Sequence, residues 1–239
     1  MEKKKCTAIV LAAGQGKRMG TAIQKQFLEI EGKPVLYYAL RCFEDSGIID
    51  DIILVTGKDM ISYCEREIIE KYGFRKVCKV TEGGRERYHS VYEGLKCCES
   101  ADFVFIHDGA RPFVNQEILE RAWEAVQRYG ACIAAVPSKD TVKLGDEDGF
   151  VAHTPARESV WLIQTPQVFS YLLIKEAYDK ALCASCKGVT DDSMVVEQMT
   201  GHKVYLVEGA YENIKLTTPE DLQIAETFLQ KSKKCGKLC

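Results

Sequence analysis

A short apolar run near the start of the chain, residues 8–11, leads directly into a glycine-rich basic stretch, and this junction restricts the possible folds most. An uninterrupted apolar run of this length is typical of a strand that is buried on both faces of a sheet. The residues that follow combine glycine with positive charge: Gly14, Gly16, Lys17 and Arg18. Glycine lets the backbone approach a ligand closely, and amides and cations just past a strand suit a polyphosphate. The junction therefore predicts an α/β fold with an anion-binding loop after its first strand.

Two common phosphate-binding motifs do not fit this loop. The dinucleotide fingerprint G-x-G-x-x-G would need glycine where Met19 stands, which disfavours an NAD-dependent dehydrogenase. A Walker A loop would need Ser or Thr at Arg18 and glycine at Leu11. For the loop taken alone, an ordinary strand-to-helix turn on a basic surface remains the alternative interpretation.

Apolar runs and amphipathic stretches alternate along most of the chain. Strands are predicted at 51–56, 77–81, 103–106, 132–136 and 203–207, and helices at 35–43, 60–72, 88–98, 116–129, 170–183 and from 218. This alternation predicts a single Rossmann-like domain with a mainly parallel sheet flanked by helices and right-handed crossovers. Ligands of such sheets bind beyond the carboxyl ends of the strands. The loops after residues 11, 81 and 106 should therefore converge on one crevice.

The segment 138–163 departs from this alternation. It is charged, its apolar positions are sparse, and it is too long for a simple connection between two elements. We interpret it as a protruding β-arm that needs a partner, because an isolated hairpin is marginal in water. The predicted domain spans 1–230, including this arm, and 231–239 forms a basic tail.

Charge and hydropathy exclude two classes of partner. The net charge is −3, so the chain has no general basic surface for nucleic acid. No apolar run approaches the length of a membrane span, and the run at 6–13 is too short for the core of a signal peptide. We therefore expect a cytoplasmic protein that binds neither nucleic acid nor a membrane.

The eleven cysteines allow two interpretations. In a reducing compartment most of them act as small apolar residues. Two close pairs, Cys183 with Cys186 and Cys235 with Cys239, could together supply four thiolates to zinc, and incidental thiols are the alternative.

Five segments in order carry a resemblance to a known family. They are L-A-A-G-x-G-x-R-M at 11–19 with K-Q-F at 25–27, G-G-R-E-R-Y-H-S-V at 83–91, H-D-G-A-R-P at 107–112, T-P-Q at 165–167 and N-I-K at 213–215. The first resembles the signature of sugar-phosphate nucleotidyltransferases. Together they resemble the 2-C-methyl-D-erythritol 4-phosphate cytidylyltransferase family of the non-mevalonate isoprenoid pathway, from about residue 6 to about residue 229.

The resemblance implies a reaction between CTP and a sugar-alcohol phosphate that gives the CDP-sugar alcohol and pyrophosphate. A phosphate oxygen attacks the α-phosphorus of CTP in line. No general base is needed, because a phosphate is already largely ionised near neutral pH, with a second pKa of about 6. The enzyme must instead hold two anions together and neutralise developing charge.

The resemblance also implies the roles of the charged residues. Arg18 and Lys25 stabilise the transition state, one as a planar fork and the other as a point charge. Asp108 binds the Mg²⁺ that bridges the triphosphate, which suits a hard oxygen ligand; a turn or capping aspartate is the alternative. The implied sugar-phosphate contacts are Arg111, Thr141, Arg157, Thr190 and Lys215.

Cytosine is implied to be recognised by backbone and small side chains. The implied nucleotide contacts are Ala12, Ala13, Gly14, Gly16, Gly84 and Ser90. A tight pocket of amides and one hydroxyl can exclude a purine by size. Simpler interpretations stay open for four residues: a solvated lysine for Lys25, a helix-surface serine for Ser90, a surface ion pair for Arg111 and a helix cap for Thr190.

The resemblance implies a homodimer in which crossed arms bring Arg157 to the partner's site. An arm folded back on its own domain is the alternative.

Two other functions stay open as alternatives to the erythritol phosphate reaction. A ribitol-5-phosphate cytidylyltransferase would share the chemistry, although its first loop often reads Ala-Gly-Gly where this chain has Ala12, Ala13 and Gly14. A non-catalytic nucleotide-binding protein would share the fold.

Overall fold

A seven-stranded sheet forms the centre of the computed structural model, which describes residues 3–14, 24–98, 100–184 and 188–234. The strands in chain order are β1 Cys6–Ala12, β2 Glu29–Ile30, β3 Lys33–Pro34, β4 Asp51–Thr56, β5 Val77–Glu82, β6 Phe103–Asp108, β7 Ala131–Pro137, β8 Leu144–Gly145, β9 Val151–His153, β10 Trp161–Ser170 and β11 Tyr205–Glu208. The central sheet has the order β11-β7-β10-β6-β1-β4-β5. β10 is antiparallel to β6 and β7, and the other neighbours are parallel, so the predicted mainly parallel sheet is confirmed.

Helices cover both faces of this sheet. They are α1 Val35–Asp45, α2 Ile61–Tyr63, α3 Arg87–Lys96, α4 Gln116–Tyr129, α5 Tyr171–Cys183, α6 Asp192–Thr200 and α7 Pro219–Lys234. α4 matches its prediction and has a clear start and stop: the Asn115 side chain accepts from the Ile118 amide, and Gly130 adopts the left-handed conformation that favours glycine. α7 continues past the predicted domain boundary at 230. Within the described part of the chain, no helix is long and apolar enough to cross a membrane.

The helix predicted over 60–72 is present but is not a regular α-helix. α2 continues as a π-helix over Cys64–Glu70. An amphipathic pattern over so few turns does not distinguish the two helix types, because both present an apolar face at nearly the same spacing. The buried Cys64 and Ile68 still pack on the sheet.

The first strand is buried on both faces, as its apolar run predicts. Ala8 and Val10 belong to the core cluster that contains α1 and α4, whereas Ile9 belongs to the cluster that contains α3 and α5. The strand ends are in register: Ala12 pairs with Thr56 of β4, and Leu11 pairs with Asp108 of β6. The loops that follow these strands therefore begin side by side.

The sequence pattern missed β10. Residues 161–163, which the prediction assigned to the arm, pair with β7 in the main sheet, so the arm leaves the sheet at 138 and returns at 160. The ladder shifts register between Ile163 and Gln167. The polar Gln164-Thr165-Pro166-Gln167 run hid the strand, because proline inside a run argues against a central strand.

The arm itself is a short hairpin of β8 and β9. Leu144 pairs with His153 across it, and Gly149 turns the chain with a φ of 87°. Its large apolar side chains, Leu144, Phe150 and Val151, are all exposed. The predicted arm thus exists, and among the residues that the structure describes none covers these three side chains.

Candidate active site

A cleft of about 630 Å³ opens at the carboxyl ends of the parallel strands. It is lined by residues at and after the ends of β1, β5 and β6, as the strand pattern predicts, and by three residues from elsewhere, Lys25, Gln26 and Lys215. The lining is Leu11, Ala13, Gly14, Lys25, Gln26, Gly84, Arg85, Glu86, Arg87, Ser90, Asp108, Ala110 and Lys215. Gly16 and Arg18 lie outside the described residues.

The carboxylate of Asp108 lines this cleft and is almost fully buried. Its Oδ2 accepts from Lys215 Nζ at 2.7 Å, and its Oδ1 accepts from Arg87 Nε at 3.1 Å. Burial alone would raise the pKa of this carboxyl, but the charges of Arg87 and Lys215 outweigh burial and hold it well below its usual range. Asp108 is therefore ionised. Its side chain is held by ion pairs with Arg87 and Lys215 rather than by a turn or a helix cap.

The guanidinium of Arg87 makes a second, stronger pairing. Its Nη1 and Nη2 donate to the two oxygens of Asp192 at 2.9 and 2.8 Å, and the Asp192 side chain is fully buried. Tyr178 donates its hydroxyl to the same carboxylate at 2.5 Å. Burial opposes the charge on Arg87, and the two carboxylates nevertheless raise its pKa well above the ordinary value. Sequence reasoning missed this centre, although Arg87 stands inside the quoted G-G-R-E-R motif.

The glycine pair after β5 packs directly against the loop after β1. A Cβ at Gly83 would lie 2.6 Å from the Ala13 Cβ, and one at Gly84 would lie 2.3 Å from the His89 Cβ. The Ser90 hydroxyl accepts from the Gly84 amide at 3.1 Å and lies 3.2 Å from the Glu86 carbonyl oxygen, to which it donates. Ser90 is buried, so the helix-surface interpretation of this serine is wrong. The structure thus brings Ala13, Gly84 and Ser90 together.

Gln26 explains why K-Q-F follows the basic loop. Its Nε2 donates to the Ala12 carbonyl at 2.5 Å and to the Gly14 carbonyl at 3.1 Å, and the side chain is buried. It therefore fixes the backbone at the start of the loop after β1. Its neighbour Lys25, in the same short 3-10 helix, lines the cleft.

Arg111 lies beside the cleft rather than in its lining. Its Nη1 donates to the Asn213 carbonyl at 2.7 Å and its Nη2 to the Ile163 carbonyl at 3.4 Å, so it fastens two backbone segments. His107, fully buried behind it, bonds Thr165 Oγ1 through Nδ1 at 3.0 Å and the Arg111 carbonyl through Nε2 at 3.1 Å. Burial lowers the pKa of His107 to about 4, consistent with a neutral structural histidine.

Besides Ala12 and Arg111, three further predicted contacts lie outside the cleft lining. Arg157 Nη2 donates to Thr141 Oγ1 at 2.9 Å, and both residues are exposed on the arm. Thr190 is exposed just before α6. The cap of that helix is Asp191, whose side chain accepts from the Met194 amide, so the capping interpretation of Thr190 is wrong.

The described residues contain no cluster of three or more His, Cys, Asp or Glu that could hold a metal ion. Cys183 is an exposed thiol, and Cys186, Cys235 and Cys239 lie outside the described residues, so the zinc hypothesis stays a prediction. A magnesium ion needs fewer protein ligands than such a cluster provides, because it is often bound by one or two carboxylates together with substrate phosphates. Asp108, an ionised carboxylate facing the cleft, fits that requirement.

Comparisons with known proteins identify the family of this chain. The family model IspD, 2-C-methyl-D-erythritol 4-phosphate cytidylyltransferase, matches residues 6–231. Curated relatives of that name from Lachnospira eligens and Lachnoclostridium phytofermentans are 51% and 50% identical, covering 94% and 95% of this chain and 99% and 97% of theirs.

Solved structures agree as well. The 4-diphosphocytidyl-2C-methyl-D-erythritol synthase of Anaerococcus prevotii is 40% identical with a TM-score of 0.85, covering 95% of this chain and 97% of its own. The 2-C-methyl-D-erythritol 4-phosphate cytidylyltransferase of Thermus thermophilus is 30% identical with a TM-score of 0.73, covering 93% and 98%. The fold is that of a nucleotidyltransferase. The chain belongs to the 2-C-methyl-D-erythritol 4-phosphate cytidylyltransferase family, so the predicted family, fold and class of enzyme are confirmed.

Proposed function

We propose that the chain converts CTP and 2-C-methyl-D-erythritol 4-phosphate to 4-diphosphocytidyl-2-C-methyl-D-erythritol and pyrophosphate, in the non-mevalonate isoprenoid pathway. One observation carries the proposal: Lys25, Asp108 and Lys215, from three separate segments, meet in one cleft beside the small-residue wall of Ala13 and Gly84. Cations suit two phosphorylated substrates, and a wall without large side chains suits a flat pyrimidine. The relatives named above all carry the erythritol phosphate name, which favours it over ribitol 5-phosphate.

The chemistry needs charge neutralisation rather than a base. An oxygen of the sugar phosphate forms a bond to the α-phosphorus of CTP, and the bond from that phosphorus to the bridging oxygen breaks, so that pyrophosphate leaves with the electron pair. Lys25 and Arg18 neutralise the charge that develops at the α-phosphate. Lys215 orients the attacking phosphate, because its ammonium lines the same cleft, 2.7 Å from the Asp108 carboxylate.

Mg²⁺ is the proposed cofactor, with Asp108 as the protein ligand. When bound, it would supply positive charge to the phosphates of the nucleotide. The carboxylate of Asp108 is kept ionised by Arg87 and Lys215, so it is ready to coordinate a hard cation at neutral pH.

Cytosine is proposed to bind at the loops after β1 and β5. The Ser90 hydroxyl is already hydrogen-bonded to the Gly84 amide and the Glu86 carbonyl, so Ser90 shapes the pocket. Recognition of the base is then left to nearby amides and carbonyls. The close packing of Gly83 on Ala13 keeps this pocket narrow. A purine would then be rejected by size.

The arm supports a homodimer with shared sites. Its three exposed apolar side chains need cover, and a two-fold partner would supply it. Arg157 and Thr141, bonded to each other on the arm, would then reach the sugar phosphate bound to the partner. We also expect the enzyme to act in the cytoplasm, since the eight cysteines among the described residues that the structure records are all free thiols.

The test is turnover of each sugar phosphate with CTP and Mg²⁺, followed by pyrophosphate release and by the CDP-linked product. The proposal expects product from 2-C-methyl-D-erythritol 4-phosphate and at least tenfold less from ribitol 5-phosphate at equal concentration, about the discrimination that one or two contacts supply. The reverse preference would assign the ribitol reaction. Binding of CTP without turnover of either substrate would assign a non-catalytic nucleotide-binding role.

A further inference from the structure

One guanidinium in the cleft holds two carboxylates at once. The Arg87 side chain donates from Nε to Asp108 and from both terminal nitrogens to Asp192. All three nitrogens of the planar guanidinium are therefore held by carboxylates. The two carboxylates come from different parts of the fold, the end of β6 and the start of α6. Arg87 itself begins α3, directly after the glycine loop proposed to hold cytosine. The side chain therefore joins three of the segments that surround the cleft.

Asp192 is a rigid anchor for this pairing. Its carboxylate also accepts from the Tyr178 hydroxyl, and its backbone amide donates to Gln167 Oε1 at 3.0 Å. The same Gln167 oxygen accepts from the Ser193 amide at 2.9 Å, which ties the first turn of α6 to β10. Because Asp192 cannot move without breaking these bonds, the plane of the Arg87 guanidinium is fixed, and with it the direction in which Nε meets Asp108.

The two cations beside Asp108 differ in this respect. Lys215 is half-buried and reaches the carboxylate with a flexible stem, so it can turn to a phosphate when substrate binds. Arg87 cannot, because its other two nitrogens are held by Asp192. Once Lys215 contacts substrate, Arg87 is the partner that still orients Asp108.

We propose that Arg87 is a positioning residue: anchored on Asp192, it holds the Asp108 carboxylate in the orientation needed to bind the metal of the metal–nucleotide complex. This inference rests on the proposed function. Removing a residue that orients a metal ligand usually costs about tenfold to a hundredfold in metal affinity or activity. Lysine at this position would keep the charge but could not reach both carboxylates, because it lacks the planar fork.

The experiment compares the wild type with Arg87→Lys, and uses Tyr178→Phe as a milder variant that removes a single hydrogen bond to Asp192. The matched control is Arg41→Lys: Arg41, on α1, pairs with Asp45 and donates to the Tyr72 carbonyl, but lies outside the cleft lining. Calorimetry measures CTP binding with Mg²⁺ and with EDTA, thermal melting measures stability, and initial rates give the Mg²⁺ concentration for half-maximal activity.

For Arg87→Lys we expect the gain in CTP affinity on adding Mg²⁺ to shrink by about tenfold and the half-saturating Mg²⁺ concentration to rise by a similar factor. Arg41→Lys should leave both unchanged whatever it does to the melting temperature. An Arg87→Lys protein that melts lower but keeps both magnesium readouts within about twofold of wild type would reduce Arg87 to a structural residue. If Arg87→Lys does not fold, Tyr178→Phe decides: a rise in the half-saturating concentration supports the proposal, and an unchanged one overturns it. A wild type that binds CTP with Mg²⁺ but turns over neither sugar phosphate defeats the proposed function alone, since the calorimetric comparison still tests Arg87.

Discussion

The cleft and the arm of this chain are built in opposite ways. In the cleft, polar and charged groups are buried and find partners within the same chain: Asp108 between Arg87 and Lys215, and Asp192 between Arg87 and Tyr178. On the arm, apolar side chains are exposed, and Arg157 donates a hydrogen bond to Thr141. Buried ion pairs hold a site in one geometry, whereas exposed apolar groups on a thin hairpin gain stability only when something covers them. The charged groups of the cleft are thus held by partners from their own chain, whereas the exposed arm is the region where we propose that a second chain binds.

The largest effect should follow from removing the cation proposed to act at the α-phosphate. We expect Lys25→Ala to abolish turnover while CTP still binds, because that charge matters most in the transition state. A loss of about 3 kcal/mol of barrier stabilisation corresponds to more than a hundredfold in kcat. The control is Lys71→Ala, an exposed lysine paired with Glu67 far from the cleft. A kcat for Lys25→Ala within about threefold of wild type would remove Lys25 from the mechanism.

The second prediction combines one variant in the cleft with one variant on the arm. If Arg157 acts on the partner's site, a mixed dimer of Lys25→Ala and Arg157→Ala has one site with both lesions and one with none. Random mixing should then restore about a quarter of wild-type activity from two inactive parents. If the arm folds back on its own domain, every site keeps one lesion, and the mixture stays as inactive as its parents even after subunit exchange has been demonstrated.

A smaller effect should follow from crowding the cytosine wall. Gly83→Ala places a Cβ 2.6 Å from that of Ala13 and 2.8 Å from Ser90 Oγ, so the two loops must separate. Overpacking of this kind costs about 1–3 kcal/mol. We expect a lower free energy of unfolding in urea and weaker CTP binding. Gly47→Ala is the matched control, since an added Cβ there meets nothing within 4 Å. Equal CTP affinity in the two variants would contradict the proposed nucleotide wall.

The smallest effect on the free energy of unfolding is expected at the arm. Phe150 is 72% exposed, so Phe150→Ser should change the stability of a single chain by less than about 0.5 kcal/mol. It should nevertheless raise the dissociation constant of the proposed dimer, measured by sedimentation. Leu172→Ser, which replaces an 80% exposed leucine on α5, is the control and should leave dimerisation unchanged. Equal dissociation constants would place any dimer interface elsewhere.

The sequence was sufficient to predict those parts of the structure that depend on residues close together in the chain. The apolar run of β1, the caps of α4 and the glycines after β5 each follow from neighbouring residues, and strand topology then brings the loops together. The strand pattern therefore predicts Asp108 in the cleft, because this residue ends β6, whereas Lys25, Ser90 and Lys215 were predicted from the family resemblance.

The sequence was insufficient to predict contacts between residues that are far apart in the chain, or elements whose local sequence is atypical. Arg87 and Asp192 are 105 residues apart, and only the fold brings them within hydrogen-bonding distance. Asp192 was also obscured by Asp191, since either aspartate could start a helix and only Asp191 caps it. β10 was missed because the polar run at 164–167, which includes Pro166, interrupts the strand at the point where its register with β7 shifts.

The most direct test of the central claim is a crystal structure of the protein with CTP and Mg²⁺. The account predicts cytosine against Ala13 and Gly84, the α-phosphate beside Lys25, and a magnesium ion coordinated by Asp108, with Arg87 still bonded to both Asp108 and Asp192. A nucleotide bound outside this cleft, or a metal ion held without Asp108, would contradict it.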